Sequence, residues 1–144
     1  MSTTLASDQK APWHLWVVAI TALLWNSSGA YTIMMAQAGR LSDLEVDEAA
    51  YYAAQPLWFV VATDIALVAS IAAAVALLLR HRIAVRLFAI SLVAIFVTNA
   101  YDLAAGTSRT LLHRAALIVT VIIVVIAILE LAYARTMKQR AVLK

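Results

Sequence analysis

Four stretches of the chain are apolar almost without interruption, and the polar residues collect between them. The stretches run from about 13 to 36, 57 to 79, 84 to 101 and 111 to 133. A helix rises about 1.5 Å per residue, so runs of this length match a hydrocarbon layer of roughly 30 Å. Strands are excluded as spans, because a lone strand in lipid leaves its amides and carbonyls unpaired. "ALIVTVIIVVIAIL" (116–129) would read as a buried strand in a soluble domain. Its length and its three companion runs favour a helix instead. The expected fold class is all-α: an integral membrane four-helix bundle with a short amphipathic helix in the first, outer loop.

The links between the spans differ in charge. The first, "GRLSDLEVDEAAYYAAQP", sets Asp43, Glu45, Asp47 and Glu48 against Arg40. Ser42 and Glu45 have capping-box spacing for the loop helix, which should end before Pro56. The second link, "RHRIAVR", holds Arg80, Arg82 and Arg86, and the third, "DLAAGTSRTLLHR", holds Arg109 and Arg114. The tail "ARTMKQRAVLK" adds Arg135, Lys138, Arg140 and Lys144. With Lys10, the N-terminal segment, second link and tail carry eight basic residues against three in the other links. The positive-inside rule then places both ends of the chain in the cytoplasm. Trp13 and Trp16 are expected at the inner headgroup level, and Tyr51, Tyr52 and Trp58 at the outer one. Residues 1–11 form an expected flexible tail, 12–134 the transmembrane domain and 135–144 a basic cytoplasmic tail. Ala36-Gln37-Ala38 resembles a signal-peptidase site, but the preceding apolar run is too long for a signal peptide, so no cleavage is expected.

Composition sharpens this picture. The chain has 144 residues, 65% hydrophobic and 13% charged, with a mean hydropathy of +0.89. A soluble domain is about 45–50% apolar and about 25% charged, so this chain could not cover a soluble surface. The net charge of +3 sits beside apolar runs and reads as membrane orientation, with no basic aromatic face for nucleic acid. Absence of cysteine removes thiolate chemistry, disulfides and cysteine-ligated metals. His14, His81 and His113 are too dispersed to share a metal, and no phosphate loop or serine–histidine pairing occurs. No cofactor is expected, and no enzymatic role.

Candidate chemistry therefore lies in the few polar residues inside the spans. Span one carries Asn26, Ser27, Ser28 and Gly29 near its middle, with Tyr31 following; span two carries Asp64; span three ends with Thr98, Asn99, Tyr101 and Asp102. A charged side chain at a helix centre costs about 2.5–3.5 kcal/mol on the insertion scale, so such groups should turn inward. Asp64, Asn26, Asn99 and Asp102, with Ser28 and Tyr31, are expected to line one outward-facing polar pocket for a small solute or a proton. The simpler reading is that Asp64 hydrogen-bonds Asn26 or Asn99 and pins the helices. Glu130 is expected to form an interfacial ion pair with Arg135 or the second link. Ala69, Ala72, Ala73 and Ala76 form a small-residue strip suited to close packing, with a dimer interface as the rival use. Met34 and Met35 read as packing.

Two stretches carry a family likeness. "LLWNSSGAYTIMMAQ" has a W-N-x-x-G-A pattern followed by methionines, and "YYAAQPLWFVVATDIALVASIAAAVALLLRHRIAVRLFAISL" has Pro56-x-Trp58 and then Arg-x-Arg-x-Ala-Val. Together they resemble a group of small bacterial four-span proteins often given a sugar-transporter label. The resemblance covers about the first two-thirds of the chain and implies a four-helix membrane protein. The chain departs from the group's pattern where alanines replace span-two glycines, where Thr32 follows Gly29-Ala30-Tyr31 in place of an acid, and where Asp64 stands. No residue here supports a sugar as substrate. Alternating access usually uses two repeats, so a transporter of this size is expected to be a homo-oligomer. The rival function is a structural accessory subunit or assembly partner of a larger membrane complex; the lipid bilayer is the partner common to both.

Overall fold

In the computed structural model, residues 11–41, 46–105 and 114–144 are described. Five helices lie within them: α1 (Trp13–Gln37), α2 (Val46–Ala53), α3 (Leu57–Leu78), α4 (Ile83–Ala104) and α5 (Arg114–Gln139). Among the described residues, α1, α3, α4 and most of α5 are long and apolar enough to cross a membrane. The chain thus has the all-helical architecture of a four-helix membrane bundle. Ser42 and Glu45, the expected cap of α2, lie outside the described residues, as does the 1–10 segment. The third span is longer than the sequence suggested, reaching Ala104, and α5 runs on past Tyr133 to Gln139.

Both prolines mark helix starts. Pro12 and Pro56 sit at the N-caps of α1 and α3 with φ −67°, and their carbonyls accept from Leu15 and Phe59. Proline suits this place because a helix start has no internal acceptor for its first amides. The opposite ends close by a shared device. At the end of α1, Gly39 has φ +64°, Arg40 donates to the Met35 carbonyl and Gly39 to Ala36. This is the Schellman arrangement, in which a left-handed residue turns the last amides back onto the helix.

Packing proceeds around the bundle in the order α1, α3, α4, α5. The α3–α4 hairpin is the most intimate pair. Ser91 on α4 donates to the Ala66 carbonyl of α3 at 2.9 Å, a contact that requires close backbones. Ala69, Ala73 and Ala76 are buried and Ala72 half-buried, so the small-residue strip is used within the bundle. The core is concentrated at the end where α1 begins and α5 finishes, where Leu15 and Ala19 meet Ala73 and Leu77, Ala84 and Phe88, and Ala134 and Met137. The side between α1 and α5 lacks a comparable backbone approach.

The segment expected as a basic cytoplasmic tail, 135–144, continues α5 to Gln139 and then docks on the bundle. Val142 and Leu143 are buried in the core, Leu143 completely. Lys144 donates its amide to the Arg80 carbonyl at 2.6 Å, and the Arg82 amide donates to the Lys144 carbonyl at 2.9 Å. Arg80 and Arg82 extend Nε to the Val142 and Leu143 carbonyls at 3.1 and 3.0 Å. The arginines of the second link thus cap backbone carbonyls of the returning chain. Two Schellman turns without glycine meet here. Arg80 has φ 60° and Ala141 has φ 56°, a left-handed backbone costing about 1–2 kcal/mol for a residue with a Cβ.

Two substitutions test this docking through thermal unfolding in detergent. Leu143→Ala, at a fully buried site, is expected to lower stability by about 2–5 kcal/mol. Ala141→Gly, at an exposed left-handed position, is expected to raise it by about 1 kcal/mol. An unchanged midpoint for Leu143→Ala would show that the tail is not seated.

Candidate functional site

Each long helix carries an inward stripe at three- and four-residue steps, as the helical period requires. On α1 the stripe holds Leu15, Ala19, Ala22 and Ala30, with half-buried Asn26 in register between them. On α5 it holds Glu130, Ala134 and Met137. These stripes bring Asn26 and Glu130 face to face. Asn26 Nδ2 donates to Glu130 Oε1 at 2.9 Å and to the Ala22 carbonyl of its own helix at 2.8 Å. Both partners are acceptors, which fixes the orientation of the amide. Glu130 is only 8% exposed. The expected interfacial ion pair of Glu130 is therefore corrected: its partner is an amide on span one, because its position in the α5 stripe points it into the bundle.

A second polar contact spans the same gap. His14 Nδ1 and the Tyr133 hydroxyl are hydrogen-bonded at 2.6 Å, with the rings edge to face at 5.9 Å. Between α1 and α5 lies a groove of about 600 Å³, walled by Val17, Trp25, Ile126 and Leu129 and reached by Glu130 and Tyr133. Thr21 and Thr136 add hydroxyls to its lining. The walls are otherwise hydrocarbon, so the groove is an apolar slot with one carboxyl group set into it.

The other expected site residues do not gather. No hydrogen bond among the described residues joins Asp64, Asn99 or Asp102 to Asn26 or to one another. Asn99 Nδ2 is occupied by the Ile95 carbonyl at 2.7 Å, and Thr98 likewise bonds its own helix. Asp64 is half-buried beside the α3 stripe, and its buried Oδ1 has no hydrogen-bond partner. Ser28 and Tyr31 are exposed on α1, and Ser28 Oγ donates to the Trp25 carbonyl. The expected common pocket around Asp64 is thus replaced by the Asn26–Glu130 contact. The physical reason is rotation: Ser28 and Tyr31 fall outside the α1 stripe, and Asp64 falls at the border of the α3 one. Glu130 was legible as a stripe member, with Ala134 and Met137 four and seven residues on, but its nearness to basic residues pointed to the surface.

Asp102 belongs to a separate cluster at the α2 end. The Tyr51 hydroxyl donates to Asp102 Oδ2 at 2.9 Å, tying α2 to α4. Burial, then the hydrogen bond and negative charge of Asp102, push the Tyr51 phenol well above its ordinary range. Tyr52 is raised too, by burial first and then by the charges of Glu48 and Asp102. Among the described residues no three His, Asp or Glu side chains gather as metal ligands.

The Tyr51 tie has a defined pH dependence. A phenol raised in the fold contributes stability that is intact below the unfolded value of about 10 and lost as the pH climbs past it. In an ultraviolet titration, Tyr51→Phe is expected to remove a step that lies well above the ordinary tyrosine range. A high-pH titration that Tyr51→Phe leaves unchanged would contradict the Tyr51–Asp102 contact. Comparison of the chain with family models, with curated proteins and with solved structures gave no match.

Proposed function

We propose that the protein is a multi-pass membrane protein that binds a small amphipathic molecule in the groove between α1 and α5. The apolar body lies along the groove, and a hydrogen-bond-donating head meets Glu130. One observation carries this reading: a carboxyl group that is 8% exposed, bonded through one oxygen to Asn26, in a largely apolar slot of about 600 Å³. Such volumes lie within the usual range for small-molecule sites, about 300–1,000 Å³. Asn26 occupies Oε1, and Oε2 remains for a ligand. Polar groups inside membranes often mark ligand or ion pathways, because their insertion cost must be offset. The reading is of a binder or carrier and not an enzyme.

The eight basic residues in the N-terminal segment, second link and tail support an orientation with both ends in the cytoplasm of a bacterial inner membrane. The α2 helix, Val46–Ala53, would then lie on the outer face, its Tyr51 and Tyr52 at headgroup depth. A homo-oligomer would be needed for transport by alternating access.

A single-tryptophan variant retaining Trp25, in lipid nanodiscs, tests the binding with a long-chain alkylamine brominated along its tail. Quenching of Trp25 is expected to saturate with the amine and not with a brominated fatty acid of equal length. Glu130→Gln, which keeps an oxygen for Asn26, is expected to weaken the amine about tenfold, the equivalent of about 1.4 kcal/mol. Non-saturating quenching, identical in both proteins, would overturn the reading and favour the accessory-subunit role.

A further inference from the structure

The α2 end holds a second cavity, distinct from the groove. It measures about 300 Å³ and lies between α2, the start of α3 and the end of α4. Tyr51, Gln55, Phe59, Tyr101 and Asp102 supply its chemistry. Three of these are aromatic. The Tyr101 ring is held by Trp58 at a centroid distance of 4.8 Å, nearly perpendicular, and by Phe59 at 5.6 Å. Asp102 receives the Tyr51 hydroxyl on Oδ2, which leaves Oδ1 as an acceptor. Gln55 Oε1 is buried and has no hydrogen-bond partner. An orphaned buried acceptor is costly, and it is matched either by a donor or by positive charge beside it, including the polarised C–H groups of a quaternary ammonium. The Tyr51 hydroxyl cannot serve, being committed to Asp102.

Aromatic rings beside a carboxylate and an unmatched carbonyl favour a cation with a soft surface. A hard metal ion is a poor fit, since calcium requires six to eight oxygens and this cavity offers side-chain oxygens from Asp102, Gln55 and two tyrosines only. The volume, at the lower limit for ligand cavities, suits a compact organic ion. From this geometry we infer that the α2-end cavity binds a substituted ammonium group, either of a free small cation or of a choline lipid headgroup.

The full chain in maltoside micelles, retaining only Trp58 of its tryptophans, tests this with choline and with 3,3-dimethylbutanol, its uncharged isostere. Choline is expected to change Trp58 fluorescence saturably, and the alcohol to leave it unchanged. Asp102→Asn, which can still accept from Tyr51, is expected to weaken choline at least about tenfold. Nanodiscs then separate the sources. Loss of the choline response in phosphatidylcholine but not phosphatidylglycerol nanodiscs assigns the cavity to a lipid headgroup; retention in both assigns it to a free cation. Equal responses to choline and its isostere, no response to either, or an unchanged affinity in a folded Asp102→Asn protein would overturn the inference. If Asp102→Asn does not fold, the choline–isostere comparison on the parent protein decides alone.

Discussion

A carboxyl group in hydrocarbon must find a donor, and Glu130 finds Asn26. The architecture turns on that contact. The other three helix interfaces are made by small or apolar side chains at close approach, but α1 and α5 meet across a wider gap. There the Asn26–Glu130 hydrogen bond and the His14–Tyr133 contact bridge what packing does not fill. In a bilayer, apolar packing between helices gains little over packing against lipid, so specific polar contacts count for more in choosing partners. The same contact keeps the groove open, because the polar bridge holds the helices at arm's length instead of letting their stripes interlock.

The two ends of the bundle are built differently. At the end where α5 finishes, the returning chain buries Leu143 and satisfies its carbonyls with Arg80 and Arg82. Arginines that read as orientation signals are thus also structural donors. The left-handed backbones of Arg80 and Ala141 are the strained joints of that closure. At the α2 end the closure is polar and aromatic, with the Tyr51–Asp102 tie and the rings of Trp58, Phe59 and Tyr101. Orphaned buried atoms of Gln37, Gln55 and Asp64 fall in this half, between the end of α1 and the second turn of α3. The core is dense where the tail docks and loose under α2, where the smaller cavity lies.

The fold was legible in the sequence because four long apolar runs leave almost no alternative in a membrane. The helix starts at Trp13 and Leu57 fall where the apolar runs begin. The site was legible in part. Asn26 was singled out correctly as an inward polar residue, but its partner was not, because the choice among Asp64, Asn99 and Glu130 depends on helix rotation. Stripes of alanine are hard to read when every face of a helix is apolar. Asp64 drew attention as the acid nearest a span centre, yet it lies off the buried stripe. The docking of the tail was not legible because "AVLK" is too short to announce burial; it depends on the α3–α4 turn meeting it in space.

The most direct measurement of the central claim is a double-mutant cycle on Asn26 and Glu130, with leucine at either or both positions, read as unfolding free energy in a membrane mimetic. A coupling on the order of 0.6–1.7 kcal/mol, with each single change destabilising and the pair less so than their sum, is the expected result. Strict additivity would contradict it, and would mean that α1 and α5 are held together by something other than this hydrogen bond.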